Sequence, residues 1–305
     1  MAEPLYRDYN SYLRELFGCR VQKITVDAGL TCPNRDGKVG FGGCIYCNAR
    51  GSGTGAASRA QTISEQLRAG KAYLVRRYKA RKFLAYFQSF TNTYAPLPQL
   101  QSLYAEALAD PDIVGLTIGT RPDCIEDPVL DHLQALGQRR LVWLELGLQS
   151  AHNRTLRRIN RGHTVEAFAE AVERSRRRGI PICVHVILGL PGEDRRDMLE
   201  TARFLALQDI QAVKIHLLYV VRGTELANWL QVGRYACLER DEYAAIVAEF
   251  LALLPSTVVV QRLTGDPHPD ELVAPRWALE KQRNLAAIHH YMQTHGLFQG
   301  KECRH

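Results

Sequence analysis

With 305 residues the chain is long enough for one large α/β domain, or a domain with an extension, burying roughly three quarters of its unfolded surface. Its 39 Lys and Arg against 32 Asp and Glu give a formal charge of +7, a balance that suits a polyanionic partner without requiring one. The first residues carry charges where a signal peptide needs an apolar core, and the longest apolar run, around 180–190, is too short for a bilayer, so a cytoplasmic protein with no membrane contact is expected.

Residues 3–18 place Tyr6, Tyr9, Leu13, Leu16 and Phe17 near a helical repeat that ends at Gly18, a helical cap over 1–19. A first strand, 21–27, runs into Thr31-Cys-Pro-Asn-Arg-Asp-Gly-Lys-Val-Gly-Phe-Gly-Gly-Cys-Ile-Tyr-Cys-Asn48, whose thiols Cys32, Cys44 and Cys47 have C-x11-C-x2-C spacing. Eight cysteines in a reducing compartment point to metal binding over disulfides. The C-x2-C half brings two thiolates to one inorganic centre within a single turn, and the Gly-rich run 37–43 lets the loop fold back to deliver Cys32. A closed zinc site or a self-contained cubane takes four ligands, so three leave one metal open to an outside ligand. The competing reading is a zinc-stabilised RNA-binding module that recruits Cys19 as a fourth ligand and catalyses nothing.

The loop resembles the cluster loop of radical S-adenosylmethionine (SAM) enzymes, most closely that of the bacterial YhcC/YtqA-type proteins, which are relatives of the Elongator catalytic subunit. The resemblance implies that Cys32, Cys44 and Cys47 bind a [4Fe-4S] cluster, with SAM on the fourth iron and Tyr46 beside the cofactor. It also implies an external electron donor such as flavodoxin or ferredoxin, and RNA as the nucleic-acid partner, with no role for DNA.

The rest of the chain alternates β-rich runs with amphipathic helices, the pattern of a parallel sheet built from βα units. Strands are expected at 83–88, 113–119, 141–148, 182–188 and 212–219, and helices near 61–80, 97–109, 126–137, 153–159, 164–178 and 194–207. Six units match the partial (β/α)6 TIM-type barrel of the resembled family, over 20–222, with the site at the C-terminal ends of the strands. From 223 the pattern changes to a helix (239–253), a short strand (257–261), a polar loop and a final helix (276–294), read as an extension closing the barrel mouth.

Strand ends carry the remaining candidates. After the second strand, Gln88, Ser89, Thr91 and Asn92 can accept hydrogen bonds from an ammonium, and the resemblance assigns this position to the methionyl amino group of SAM. After the third, Arg121 and Asp123 read equally as ligands or as an ion pair; relatives carry a glutamate where Gly119 stands, which removes the ground for a ribose contact. On the fourth, Glu145, Gly147 and Gln149 share a face, and a carboxylate inside a barrel needs partners. The resemblance brings Gln149 and Arg161 to SAM, with the guanidinium on its carboxylate. It assigns the turn at Gly189 to the adenine and leaves His185 either a cofactor contact or a satisfied core histidine. Lys214 and His216 share one face of the sixth strand.

Gly51-Ser-Gly-Thr-Gly55 does not follow a strand and is no dinucleotide fingerprint. Basic residues gather at 68–82 and 174–178, usually solvated helix faces but candidates for RNA contact. The family resemblance implies reductive SAM cleavage to a 5′-deoxyadenosyl radical, with tRNA wobble uridine as substrate at its 5-position side chain; radical chemistry on a small metabolite is the alternative.

Overall fold

The structure, a computed structural model, describes residues 4–51 and 61–303, so the Gly-rich run 51–55 lies outside it past its first residue. In chain order the first elements are α1 (Tyr9–Phe17), β1 (Val21–Val26), α2 (Ile63–Tyr78), β2 (Lys82–Phe87), α3 (Leu97–Leu108), β3 (Ile113–Thr120) and α4 (Asp127–Gly137). Next come β4 (Leu141–Gln149), α5 (Asn153–Arg158), α6 (Val165–Arg176), β5 (Ile182–Leu188), α7 (Arg195–Ala206) and β6 (Ala212–Leu217). The remainder holds β7 (Val220–Val221), α8 (Glu225–Gln231), α9 (Arg240–Leu253), β8 (Val259–Arg262), β9 (Leu272–Ala274) and α10 (Lys281–Thr294).

The expected βα half-barrel is present, and it has one strand more than six. The parallel sheet runs β1-β2-β3-β4-β5-β6-β8, while β7 and β9 form a separate antiparallel ribbon. The seventh strand comes from the region read as an extension: α9 is a crossover helix that returns the chain parallel to β6. The segment between β6 and α9, with the ribbon strand and α8, hides this last βα unit from a reading by regular spacing.

The outer face of the sheet packs against the helices through a continuous apolar core from Ile24 to Leu297. The inner face is apolar only at its lower end, where Trp143, Cys183, Ala212 and Val259 meet Tyr9 and Tyr12 of α1. The Tyr12 and Trp143 rings lie 5.9 Å apart, edge to face, so α1 plugs the N-terminal pole of the barrel. This helix starts later than the expected residue 3 because Asp8 caps it, accepting from the amides of Asn10 and Ser11. Before the cap, Arg7 O accepts from Val260 N and so covers part of the β8 edge. Between the two edge strands, Lys23 Nζ on β1 donates to Gln261 Oε1 on β8 at 2.6 Å. Among the described residues no helix is long and apolar enough to cross a membrane.

Candidate active site

A cleft of about 350 Å³ opens at the C-terminal ends of the strands, bordered by Cys32, Cys44, Cys47, Thr91, Glu145 and Arg161 among others. A larger, shallower hollow of about 730 Å³ lies on the outside between α2 and α3; it holds none of the candidate cofactor residues, but Arg68, Lys71 and Arg76 of the basic run line it.

The cysteine loop forms the roof of this cleft, and its shape follows from its glycines. Gly42 and Gly43 have φ of +77° and +80°, and a Cβ on Gly43 would come within 2.9 Å of Arg35 Nε. That arginine donates from Nη2 to the carbonyl of Cys47 at 3.2 Å and approaches its Sγ at 3.7 Å. From the far side, Asn160 donates from Nδ2 to Gly43 O (2.8 Å) and Phe41 O (3.3 Å), while its own carbonyl accepts from Asn34 Nδ2. The loop is thus clamped by the segment that follows α5. Arg161 lies in that segment with only 8% exposure, reaching Cys44 Sγ (3.7 Å), Gly147 O (2.8 Å) and His163 Nε2 (2.9 Å). Its donors therefore turn toward the cysteine loop and strand β4.

The three sulfurs do not all lie within 4.8 Å of one another. A tetrahedral zinc with Zn–S of about 2.3 Å brings its sulfurs to about 3.8 Å, so this triangle is too wide for one ion. Cys19 is no fourth ligand: it precedes β1 while the loop follows it, so the length of a six-residue strand, about 20 Å, intervenes.

Past β2 the chain bends through Phe90, a non-glycine residue at φ +61°, and Thr91 N donates to Thr31 O at 3.2 Å. Ser89 Oγ, Thr91 Oγ1 and Asn92 Oδ1 are buried and have no hydrogen-bond partner. Gln88 and Thr91 border the cleft, whereas Ser89 and Asn92 lie behind its wall. Orphaned buried oxygens are rare unless a ligand completes them. All three can accept, Asn92 Oδ1 can only accept, and the two hydroxyls can also donate, a set that suits the ammonium of an amino acid. Gln149 shows the same pattern at the end of β4, where a bulge puts it at φ +76° with Oε1 unpartnered. The Tyr46 hydroxyl is also unpartnered on the cleft wall.

Below this level Glu145 is enclosed, its side chain 0% exposed. Oε1 accepts from Lys23 Nζ (2.8 Å), and Oε2 accepts from His185 Nε2 (2.7 Å) and from Lys214 Nζ. Tyr86 lies under both ammoniums, 4.2 Å from Lys214 and 5.1 Å from Lys23 to the ring centre. The lysines and the imidazole hold the Glu145 carboxyl well below the usual carboxylate range, overcoming its burial. Burial dominates at Lys214 instead, and with Lys23 and Arg262 as like charges it draws that ammonium down to about 7 against the pull of Glu145. The two directions agree once the stoichiometry is counted, because one carboxylate is shared by several cations. Burial, then Lys214, likewise brings His185 down to about 4.

His185 is a satisfied network histidine, and Arg121 is an ion pair with Asp123 (2.9 and 2.7 Å) that also donates to Arg161 O. Gly189 does not border the cleft: its carbonyl accepts from Tyr235, and a Cβ there would press on Leu238 at 3.1 Å. Lys23, Arg262, Asn34 and Asn160 carry much of the geometry and were not singled out from the sequence. The basic run of α2 ends at the other pole, with Arg76 and Arg77 in the last turn where the chain enters the bottom of β2. The arginines at 174–178 are paired, with Asp127, Asp131, Asp209 and Glu173.

The profile of the Radical SAM superfamily matches residues 32–205, and that of the Radical SAM C-terminal domain matches 210–294. The chain is 42% identical over 300 residues to the protein YtqA of Bacillus subtilis (strain 168), across 98% of this chain and 93% of that one. It is 28% identical over 191 residues to a tRNA uridine(34) acetyltransferase of Methanocaldococcus jannaschii, across 60% of this chain and 34% of that protein. In fold it is similar to the archaeal Methanocaldococcus infernus Elp3, with a TM-score of 0.70 and 18% identity, across 92% of this chain and 64% of that one. The chain therefore belongs to the radical SAM superfamily and is an enzyme of the kind that uses a [4Fe-4S] cluster and S-adenosylmethionine.

Proposed function

We propose that this enzyme remodels the 5-position side chain of the wobble uridine in tRNA, converting a carboxymethylaminomethyl group toward aminomethyl. Kinship with the tRNA uridine(34) acetyltransferase supports a uridine substrate. The observation that carries the reading is the mouth of the cleft. About 350 Å³ is the low end for a small-molecule pocket, so SAM leaves room for little more than a projecting side chain. Four arginines, Arg35, Arg121, Arg161 and Arg262, line the cleft against three acids, Glu145, Asp266 and Glu271. Next to lining residues in the chain, Arg157 and Arg158 shortly before Arg161 and Arg222 directly after Val221 are exposed, with no ion pair among the described residues. A large polyanion held at this mouth can insert one modified base, whereas a small metabolite needs no such charge.

In this reading Cys32, Cys44 and Cys47 hold the cluster, and Arg35 and Arg161 place positive charge beside two of the sulfurs. Thr91, with Gln88 at the wall and Ser89 and Asn92 behind it, receives the SAM ammonium; Tyr46 and Gln149 complete the cofactor's polar contacts. Glu145 and His185 brace the floor, and Gly189 keeps the β5 turn close behind it. When bound, cluster and SAM would supply hydrogen-atom abstraction beside the carboxylate, primed by one electron from a carrier such as flavodoxin or ferredoxin; overall the two-carbon unit would leave as glyoxylate with one water consumed, and SAM would take up the two electrons in becoming methionine and 5′-deoxyadenosine. The chain's own part is to exclude water and hold the substrate carbon in line.

The test is mass spectrometry of tRNA nucleosides from a deletion strain complemented with the wild type or with Cys47→Ala. The carboxymethylaminomethyl form is expected to accumulate in the deletion and with Cys47→Ala, and to fall with the wild type. An unchanged wobble-uridine profile overturns the substrate assignment, and purified protein carrying one zinc in place of four irons and four sulfides overturns the cluster.

A further inference from the structure

Arg262 closes β8, in register with Lys214 on β6. A bulge interrupts this pairing: Val213 faces Val260, the next pair is Lys214 with Arg262, and Gln261 is the extra residue. The consequence is that two consecutive side chains turn to the interior, Gln261 to Lys23 and Arg262 into the cleft wall. Its guanidinium has no hydrogen bond or ion pair with any described residue, although it borders a cleft dense in polar groups. Two positions along β6 from Lys214, His216 also borders the cleft, with a buried Nε2 that finds no partner.

The acids around Arg262 are all engaged elsewhere. Asp266 Oδ2 pairs with Lys281 (2.7 Å), Glu271 takes Arg50 (2.9 Å) and Asn48 (3.0 Å), and Glu145 is saturated by Lys23, Lys214 and His185. A half-buried guanidinium without a counter-ion is unfavourable unless an anion arrives with the ligand. We propose that Arg262, with His216 beside it, is a subsite for a carboxylate at the tip of the substrate's side chain. This deepens the functional reading above and rests on it: the group to be removed from the uridine ends in a carboxylate, and the fork of Arg262 would hold it at the floor beneath the cofactor. Lys214, occupied by Glu145, contributes field and no direct bond. The same chemistry has a second source, the carboxylate of SAM, which the test separates.

The experiment measures steady-state kinetics of the holoenzyme on tRNA whose wobble uridine carries the carboxymethylaminomethyl group, and on the same tRNA with that carboxylate as a carboxamide. Arg262→Gln is expected to raise KM for the acid at least tenfold with kcat changed far less, to leave KM for the amide as in the wild type, and to bind SAM with unaltered Kd. Arg262→Lys restores part of the loss. A KM that rises equally for acid and amide marks a phosphate contact or loss of packing and overturns the subsite. So does a weaker SAM Kd with an unaltered substrate KM, which reassigns the arginine to the cofactor. Wild-type KM in Arg262→Gln also overturns it while leaving the tRNA reading intact. A wild-type enzyme that turns over neither tRNA brings down the functional reading first, and the subsite with it.

Discussion

Lys214 and Glu145, on β6 and β4, meet inside the barrel with Lys214 Nζ donating to Glu145 Oε2 and neither side chain more than 4% exposed. A buried pair of this kind adds little net stability when intact, because desolvating both charges offsets their attraction. Losing one member is different. Glu145→Gln keeps the volume but leaves two ammoniums facing each other across Tyr86, and the expected loss is about 3 kcal/mol. Urea unfolding of the anaerobic protein reads this as a lower midpoint at constant slope; a midpoint within experimental error of the wild type would show that the lysines escape to water.

The same cluster fixes a pH dependence. In the unfolded chain Lys214 keeps its proton up to the usual lysine value near 10.5, whereas in the fold burial brings it down to about 7. Between those values the unfolded state binds more protons, so stability rises as pH increases from about 7 toward 10.5. Glu145 is ionised in both states throughout that window and adds nothing to the slope. On the acid side, His185 lies at about 4 in the fold, below its ordinary 6.5, so stability falls as pH drops through that interval. Lys214→Met should flatten the alkaline limb and make the acid limb shallower, because it also removes the like charge that, after burial, holds His185 down. An alkaline slope that persists in Lys214→Met assigns it to another group.

Much of this was legible before any coordinates. The three cysteines stand out because metal chemistry demands thiols at short spacing, and the strands stand out because apolar runs alternate with amphipathic helices. Lys23 and Arg262 did not, for different reasons. Lys23 sits in Val-Gln-Lys-Ile-Thr-Val, where period-2 alternation puts it on the inner face with Val21 and Thr25, but a lone lysine in a strand near the N-terminus reads as an edge residue until its partner is known. Arg262 could not be placed from alternation at all, because the bulge at Gln261 breaks the period. Asn160 carries no signal of its own in the sequence; its task, holding a loop more than a hundred residues away, exists only in three dimensions. The short strand expected at 257–261 is the seventh strand; only its place in the barrel sheet escaped, because β7 and α8 interrupt the βα rhythm before it.

Thr91 offers a substitution whose two readings diverge. Its buried hydroxyl has no partner, so Thr91→Val, of nearly the same shape, removes an unsatisfied polar atom and is expected to leave the unfolding midpoint unchanged or slightly higher. If the oxygen serves the SAM ammonium, the same change weakens SAM binding about tenfold, the worth of one hydrogen bond to a charged group. Equilibrium dialysis with SAM, run beside thermal unfolding, checks both. Unaltered SAM affinity removes Thr91 from the cofactor site.

Asn160 tests how the cysteine loop is held. It occupies the left-handed region at φ +52°, which asparagine tolerates and alanine resists, so Asn160→Ala mixes backbone strain with loss of the side chain. Asn160→Gly separates them: the φ is unstrained, but the bonds to Gly43 O and Phe41 O are gone. Asn160→Asp keeps the shape and a tolerated φ yet sets a carboxylate against two carbonyls. If the clamp positions Cys44, both Gly and Asp variants should retain less than half the wild-type iron and bleach faster in air, with Asp the worse, while far-ultraviolet dichroism stays unchanged. Iron content at the wild-type level in Asn160→Gly would mean that Arg35 and the loop's own glycines suffice to hold the three thiols in place.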